Sequence, residues 1–320
     1  VETLSRHLHK EVFDYRFEPE MMLRDWANVT YYYDCPIVIH VNAIPFSNVA
    51  QLARDTGVKA VLTGEGADEL FLGYPPLLTR RYVAMATAPV RAIKSIYSVS
   101  PKLKEFLFPE SDGKPISLVG KLVQGFELQE MEERAESALS FLGNKERREQ
   151  MMTLTMIREH LVTLLHRNDR MGMMASIEAR FPFLDEKLVK FAINLPARFK
   201  IARTFRFHNY KHPFLTDKWI VRKTAEKYLP DALVNKRKNG FPMYGHKFIR
   251  IGDGFFANGW IADSLGLDAG AQERLIRTQD PYFVAKLASV EIFGRLFSLG
   301  QTVEQVSGHV LEHASVVGVD

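Results

Sequence analysis

The residues best suited to chemistry lie in one run, Thr63-Gly64-Glu65-Gly66-Ala67-Asp68-Glu69-Leu70-Phe71. Two glycines let the backbone approach a ligand closely and turn N–H groups into one concavity, the geometry that receives phosphate oxygens. Thr63 adds a hydroxyl. Asp68 is the candidate metal ligand, because Mg²⁺ favours one or two carboxylates together with phosphate oxygens. Glu65, earlier in the same loop, is then a candidate base. A tight turn with a solvated acidic cap accounts for the same spacing, since short glycine-rich patterns are weak signals alone.

Other polar residues are less organised. His160, His166, His208, His212 and His246 show no metal-ligand spacing. Asp169 and Arg170, at a helix end, fit a structural ion pair and a substrate contact equally well. Glu178 and Arg180, just before Pro182, read as scaffold. Tyr74 packs beside a nucleotide or in plain core. Met171, Met173 and Met174 are expected to fill core gaps. Lys236, Arg237 and Lys238 form either a phosphate contact or a solvated basic turn.

The elements that must position these residues begin as α/β. Phe46, Val49, Ala50 and Ala53 recur at helical spacing, with Pro45 suited to the first turn and Gly57 to the stop. Val58 to Thr63 follows as an apolar run, expected to be a buried parallel strand whose partner strands come from elsewhere. Residues 87–150 are punctuated by Pro89, Pro101, Pro109 and Pro115 and carry an acidic stretch from Glu127 to Glu136, read as a solvated helical connection. Beyond them the pattern is helical. Leu154, Ile157, Leu161 and Leu164 make one stripe; Leu188, Phe191, Ala192 and Leu195 make another, with Asp185 as N-cap. A further helix is expected from Thr216 or Asp217 to just before Pro230, and a last one around Leu287 to Phe297, ending at Gly300. The expected organisation is therefore an α/β nucleotide-binding part (1–86), a helical connection (87–150) and a helical part (151–320).

Composition sets outer limits. The 320 residues suit one large or two modest domains at about 150 residues each. An apolar fraction of 46% with 25% charged residues excludes intrinsic disorder and fibrous repeats. A formal charge of +4 makes no case for nucleic acid and suits an anionic small molecule as well. A sole cysteine, Cys35, excludes an internal disulfide framework and a cysteine-rich metal site, and fits a reducing, cytoplasmic setting. No apolar run reaches the roughly 18 residues of a membrane span, and no signal peptide opens the chain, so Asn28-Val29-Thr30 is a chance glycosylation sequon. The first residue is Val1, from which a fragment, a processed form or a trimmed chain is expected.

The run from Thr63 to Tyr74, TGEGADELFLGY, closely resembles the SGEGADELFGGY loop of glutamine-dependent asparagine synthetases. Further matches follow in order along nearly the whole chain. Asp169-Arg170-Met171 with Glu178-Ala179-Arg180-Phe181-Pro182-Phe183-Leu184-Asp185 resembles DRM…ExRxPFLD. Lys218-Trp219-Ile220-Val221-Arg222 is similar to KxxLR, and Lys236 to Pro242 to the RPKxGF loop. Glu291, Phe293, Arg295 and Phe297 fit the closing ExWxRxF helix. The departures are Thr63 for Ser, Gly172 after DRM, Phe293 for Trp, and Pro242-Met243-Tyr244 after the GF. The family's SGGxDS pyrophosphate loop and its N-terminal glutaminase domain are absent from this sequence, so the chain alone is not expected to turn over ATP.

The resemblance implies an α/β fold of the adenine nucleotide alpha hydrolase-like (PP-loop ATPase) type, a parallel sheet with a large helical C-terminal region. It implies ATP and Mg²⁺ as cofactors and formation of an amide through an acyl-adenylate, with release of AMP and pyrophosphate. Aspartate is the implied acceptor and glutamine-derived ammonia the implied nitrogen source; a homodimer is one implied assembly, with no nucleic acid or membrane partner. It places Glu65 and Lys218 as catalytic residues, Glu65 taking a proton from the attacking nitrogen and Lys218 stabilising negative charge. Thr63, Gly64, Gly66, Asp68, Tyr74, Asp169 and Arg170 would line the nucleotide, with Asp68 on the metal. Relatives that amidate sugars or close β-lactam or peptide rings leave the acceptor open, and a non-catalytic partner subunit is the reading of another class.

Overall fold

Gly57, at φ +80°, stops a helix at the residue where a side chain would be strained, and the short run Ala60–Leu62 follows as strand β1. It pairs in parallel with β2 (Glu178–Arg180), Ala60 opposite Glu178 and Leu62 opposite Arg180. Parallel pairing was expected and is found, but burial is not: Leu62 is 76% exposed and only Val61 of the strand is partly covered. The computed structural model describes residues 2–38, 40–74, 134, 137–205, 214–236 and 245–317. The loop matches at 237–244, including Arg237 and Lys238, and the prolines and acidic residues from 87 to 133 lie outside the described residues, as do His208 and His212. The described residues are rich in helix, with three two-stranded sheets, an α/β composition.

Contacts divide the chain into two discontinuous units. The first comprises residues 1–63, 163–182 and 238–320. Its core is built on helices Met21–Tyr33, Pro281–Phe297 and Val303–His313, which bury Trp26, Val29, Ala288, Ile292, Val306 and Val310. Asp280 caps the Pro281–Phe297 helix by accepting from Tyr282 N, and Pro281 sits where its missing N–H costs nothing. That helix starts earlier than its apolar spacing indicated. Thr302 and Gln305 form a reciprocal capping box on the last helix. Strands β5 (Ile249–Ile251) and β6 (Ala314–Val316) pair antiparallel beside them.

The expected helix near Pro45 is present as Ala43–Asp55, with a different face inward. Ala43, Ile44, Pro45 and Ser47 are buried while Val49 is 48% exposed, since the helix buries its first turn and lays only Phe46 of the predicted stripe against the core. Phe46 also carries the Arg167 guanidinium 4.1 Å above its ring. Met171 is buried as expected, but Met173 is 60% exposed. Gly172 is needed where it stands, because the Ile177 N–H closes the following turn on the Gly172 carbonyl and a Cβ on Gly172 would lie 2.6 Å from the Ile177 carbonyl oxygen.

The closing-helix motif is a buried brace. Arg295 Nε lies 2.6 Å from Glu291 Oε1, and both side chains are almost wholly buried. Glu291 also accepts from the N–H groups of Trp260 and Ile261, and Arg295 donates to the carbonyls of Phe255 and Ala257. With its neighbours bonded in this way, the pair ties the start of helix Trp260–Leu265 to helix Pro281–Phe297.

The second unit comprises residues 64–162 and 183–237. Helix Asn144–Thr155 runs into a π-helical turn, Met156–Leu161, so the stripe read at α-helical spacing through Leu154 and Leu164 is broken by the extra residue per turn. The boundary read at 150 falls within Asn144–Thr155, and the one at 86 lies outside the described residues. Helix Glu186–Asn194 follows, capped as expected by Asp185, which accepts from the N–H groups of Lys187 and Leu188. Leu188, Ala192 and Leu195 pack with Leu70 and Phe71, while Phe191 faces outward at 51% exposure. Strands β3 (Ala202–Arg203) and β4 (Leu215–Thr216) form a short antiparallel ladder.

In the first unit His246 is buried between Trp26 and Tyr282, with Nε2 2.9 Å from the Ser289 hydroxyl. Burial, reinforced by Lys286, pushes its imidazole down to about 4. A depressed histidine pKa means that the unfolded chain takes up the proton first. Stability is therefore complete above about pH 6.5 and declines as the pH falls towards about 4, by about 3 kcal/mol. Urea unfolding across that range should show the decline, and His246→Gln should flatten it.

Candidate functional site

The glycine-acid loop lies in the second unit from Gly64 onward, and its two glycines serve different ends. Gly66 has φ +90°, and a Cβ there would fall 2.5 Å from Leu184 Cδ2, so backbone conformation and packing both require it. A Cβ on Gly64 would meet nothing within 4 Å. Packing does not demand that glycine, and the space beside it is open to a ligand.

The loop feeds the short helix Ala67–Phe71, with Asp68 and Glu69 in its first turn and Leu70 and Phe71 buried beneath. Leu72 then turns left-handed at φ +58° while 3% exposed, and Gly73 N–H closes back on the Asp68 carbonyl at 2.8 Å. A Cβ on Gly73 would sit 1.8 Å from Asp68 Oδ1. The space left by that absent side chain is where the Asp68 carboxylate lies.

Asp68 meets Lys218, far downstream, with Nζ 2.8 Å from Oδ1 and both side chains roughly three-quarters buried. The expected helix start at Thr216 or Asp217 is corrected here. Thr216 belongs to β4, Lys218 stands at φ 46°, ψ 40°, and the helix is Trp219–Ala225. A left-handed non-glycine residue costs about 1–2 kcal/mol, so its surroundings must impose it. Arg222 does so: Nε donates to both the carbonyl and the carboxylate of Asp217 at 3.0 Å, and Nη1 reaches the carbonyls of Val234 and Lys236. Asp217 itself is 3% exposed. Arg222, quoted in the motif without a role, is the clamp that holds the Lys218 turn.

A second acidic group stands behind Asp68. Glu69 is buried, accepts from the Tyr74 hydroxyl and lies 3.9 Å from His160 Nε2, and His160 meets the Tyr74 ring edge-on at 5.2 Å. Burial, then the bond to Glu69, raises the Tyr74 phenol above its ordinary pKa, with the charges of Asp68 and Glu65 adding to the shift. Tyr74 therefore remains a hydrogen-bond donor. The half-buried Glu65 carboxylate shares this acidic neighbourhood. Sequence spacing missed Glu69 and His160 as partners; the adjacent acids in one helical turn were the only signal, and the π-turn that presents His160 left none.

Three predicted residues belong to the first unit. Thr63 closes β1, its N–H donating to the Arg180 carbonyl, and its buried hydroxyl has no hydrogen-bond partner among the described residues. Arg170 pairs with Asp34 at 2.8 Å and not with its neighbour Asp169, which is exposed. Helical neighbours at i and i+1 point apart, so the adjacent pair could not serve each other. Glu178 and Arg180 form an exposed fork on β2, in which Arg180 lowers the Glu178 carboxyl below its ordinary pKa.

Among the described residues no three His, Cys, Asp or Glu side chains cluster as a metal site. A single carboxylate such as Asp68 fits Mg²⁺ that draws its other ligands from phosphate and water. The open side of Gly64 fits phosphate oxygens. The residues present therefore suit a metal–nucleotide, with Asp68 as the residue that would hold the cation.

The family model described as Asparagine synthase matches residues 1–280. Asparagine synthetase [glutamine-hydrolyzing] 3 of Bacillus subtilis is 32% identical over 188 residues, 58% of this chain and 26% of that protein. A putative asparagine synthetase [glutamine-hydrolyzing] of Mycobacterium tuberculosis is 28% identical over 282 residues, covering 78% of this chain and 38% of its own length. The Amidase chry2 of Gibberella zeae is 24% identical over 261 residues, 71% of this chain and 38% of that protein. The chain thus spans well under half the length of these relatives.

Arg222→Lys would keep the charge but lose the fork that bonds Asp217 and two carbonyls together. It should lower stability by about 1–3 kcal/mol in thermal unfolding. Limited proteolysis should then cut faster between residues 217 and 236.

Proposed function

The chain belongs to the asparagine synthase family, and from that membership we propose that it carries the nucleotide-binding and acyl-activating part of an ATP-dependent carbon–nitrogen ligase. The observation that carries this reading is the 2.8 Å contact between Asp68 and Lys218, two motif residues distant in sequence. A carboxylate that can hold a cation and an ammonium that can neutralise an oxyanion stand side by side. Separating pyrophosphate from a newly formed acyl-adenylate needs both. β1 and β2 are then part of a parallel nucleotide-binding sheet.

In this reading Mg²⁺, when bound, neutralises charge on the departing pyrophosphate. The chain's own groups do the rest. The Gly64–Gly66 backbone receives phosphate, Thr63 offers its hydroxyl, and Lys218 meets the negative charge that grows and collapses at the activated carboxyl. Glu65 takes the proton from the attacking nitrogen. Tyr74, bonded to Glu69, shapes the wall behind Asp68. The acceptor is aspartate, amidated with glutamine-derived ammonia. The likeness to a protein named as an amidase supports a second reading, in which the same activation serves another carboxylate.

The test uses the intact protein with Mg-ATP, aspartate and ammonia. AMP and pyrophosphate that appear only with aspartate, together with asparagine, bear the proposal out; release only with another carboxylate moves the substrate and keeps the chemistry. Asp68→Asn should abolish turnover with an unchanged melting temperature, and turnover like that of the parent would remove the metal role. Lys218→Ala should slow adenylation by roughly a hundredfold, read as pyrophosphate exchange.

A further inference from the structure

A cavity of about 290 Å³ opens in the second unit between β3, β4 and the helix Trp219–Ala225. Trp219, Arg222, Lys223 and Glu226 reach it from positions i, i+3, i+4 and i+7, which share one side of the helical turn, and Arg203 and Thr216 reach it from the strands. Its lining carries three cationic side chains against one acid; Arg222 is paired with Asp217 and Lys223 with Glu226, so Arg203 supplies the uncompensated charge. Glu226 is already bonded through both oxygens to Lys223 at 2.9 Å, so its acceptors are turned to its own neighbour.

The donors are in the opposite condition. Among the described residues the Arg203 guanidinium has no ion pair, and neither the Thr216 hydroxyl nor the Trp219 indole N–H has a hydrogen-bond partner. Thr216 is nevertheless only 8% exposed. A concavity in which the Arg203, Thr216 and Trp219 donors are unengaged among the described residues, and in which Glu226 is turned to Lys223, selects a ligand that brings acceptor oxygens and negative charge. Its volume admits a molecule about the size of an amino acid and excludes a polymer.

We propose that this cavity is a binding site for a small molecule carrying a carboxylate or phosphate group, with Arg203 and Lys223 as its charged contacts and Thr216 and Trp219 as neutral donors. The site is distinct from the Asp68–Lys218 pair and needs neither ATP hydrolysis nor amide formation, so it stands or falls independently of the reading above. Arg222 lines it while holding Asp217, which places an oxyanion within reach of the clamp on the Lys218 turn.

Equilibrium dialysis of the intact protein against labelled inorganic phosphate and, separately, labelled succinate tests the site at constant ionic strength in chloride. Saturable binding of one or both anions is expected, weakened tenfold or more by Arg203→Gln and again by Lys223→Gln, each variant keeping the parent melting temperature. Binding of phosphate alone identifies a phosphorylated ligand, and binding of succinate alone a carboxylate. Absence of saturable binding by both overturns the proposal. So does binding that both variants leave unchanged, because it would then reside elsewhere on the chain.

Discussion

Lys218 stands in the left-handed region of backbone space, and the second unit is arranged to keep it there. A lysine gains nothing locally from φ 46°; the conformation costs about 1–2 kcal/mol and must be imposed. The imposing group is the buried Asp217 carboxylate, tied to Arg222, which in turn ties down two carbonyls of the following segment. Once the turn is fixed, the ammonium has a fixed origin, and the Asp68 carboxylate meets it at 2.8 Å. Asp68 is fixed from its own side by the left-handed Leu72 and by the missing side chain of Gly73. Two strained turns, each a few residues long, thus set the distance between one acid and one cation.

The first unit spends its charged residues differently. Glu291 and Arg295 are buried together, and each also bonds backbone groups near Trp260. A pair so placed has its bonding capacity committed, and removing either partner would strand the other in an apolar surround. Gly259 belongs to the same brace, since a Cβ there would lie 1.9 Å from Glu291 Oε1. These motif residues maintain the fold, their side-chain bonds directed at protein groups.

How far the sequence disclosed this follows from the range over which each signal acts. Asp185 as an N-cap and Gly57 as a stop were legible because capping and positive φ are decided within a few residues. The faces of helices were less so: Val49, Phe191 and Met173 fit an apolar period yet lie exposed, because tertiary neighbours decide which side is covered. Spacing placed Asp68 and Lys218 only as separate candidates, and their contact depends on folding between distant segments. The partner of Arg170 was misplaced for the same reason, since Asp34 is remote in sequence and Asp169 adjacent. The π-turn at Met156–Leu161 left no trace in composition or period.

Motif resemblance by itself treats Glu291, Arg222, Asp68 and Lys218 alike, and burial with bond satisfaction separates them. Arg295 and Arg222 direct their donors at protein carbonyls and a carboxylate, so a ligand would have to break existing bonds to use them. Lys218 carries three donors and, among the described residues, gives one contact, to Asp68. Its side chain is 21% exposed, enough for a small molecule to reach and too little for water to screen the charge fully. An ammonium with unused donors, held by strain beside a carboxylate, is poised to meet an oxyanion. A fully bonded guanidinium is poised to keep its place. The division of labour between reaction and scaffold in this chain lies in that difference.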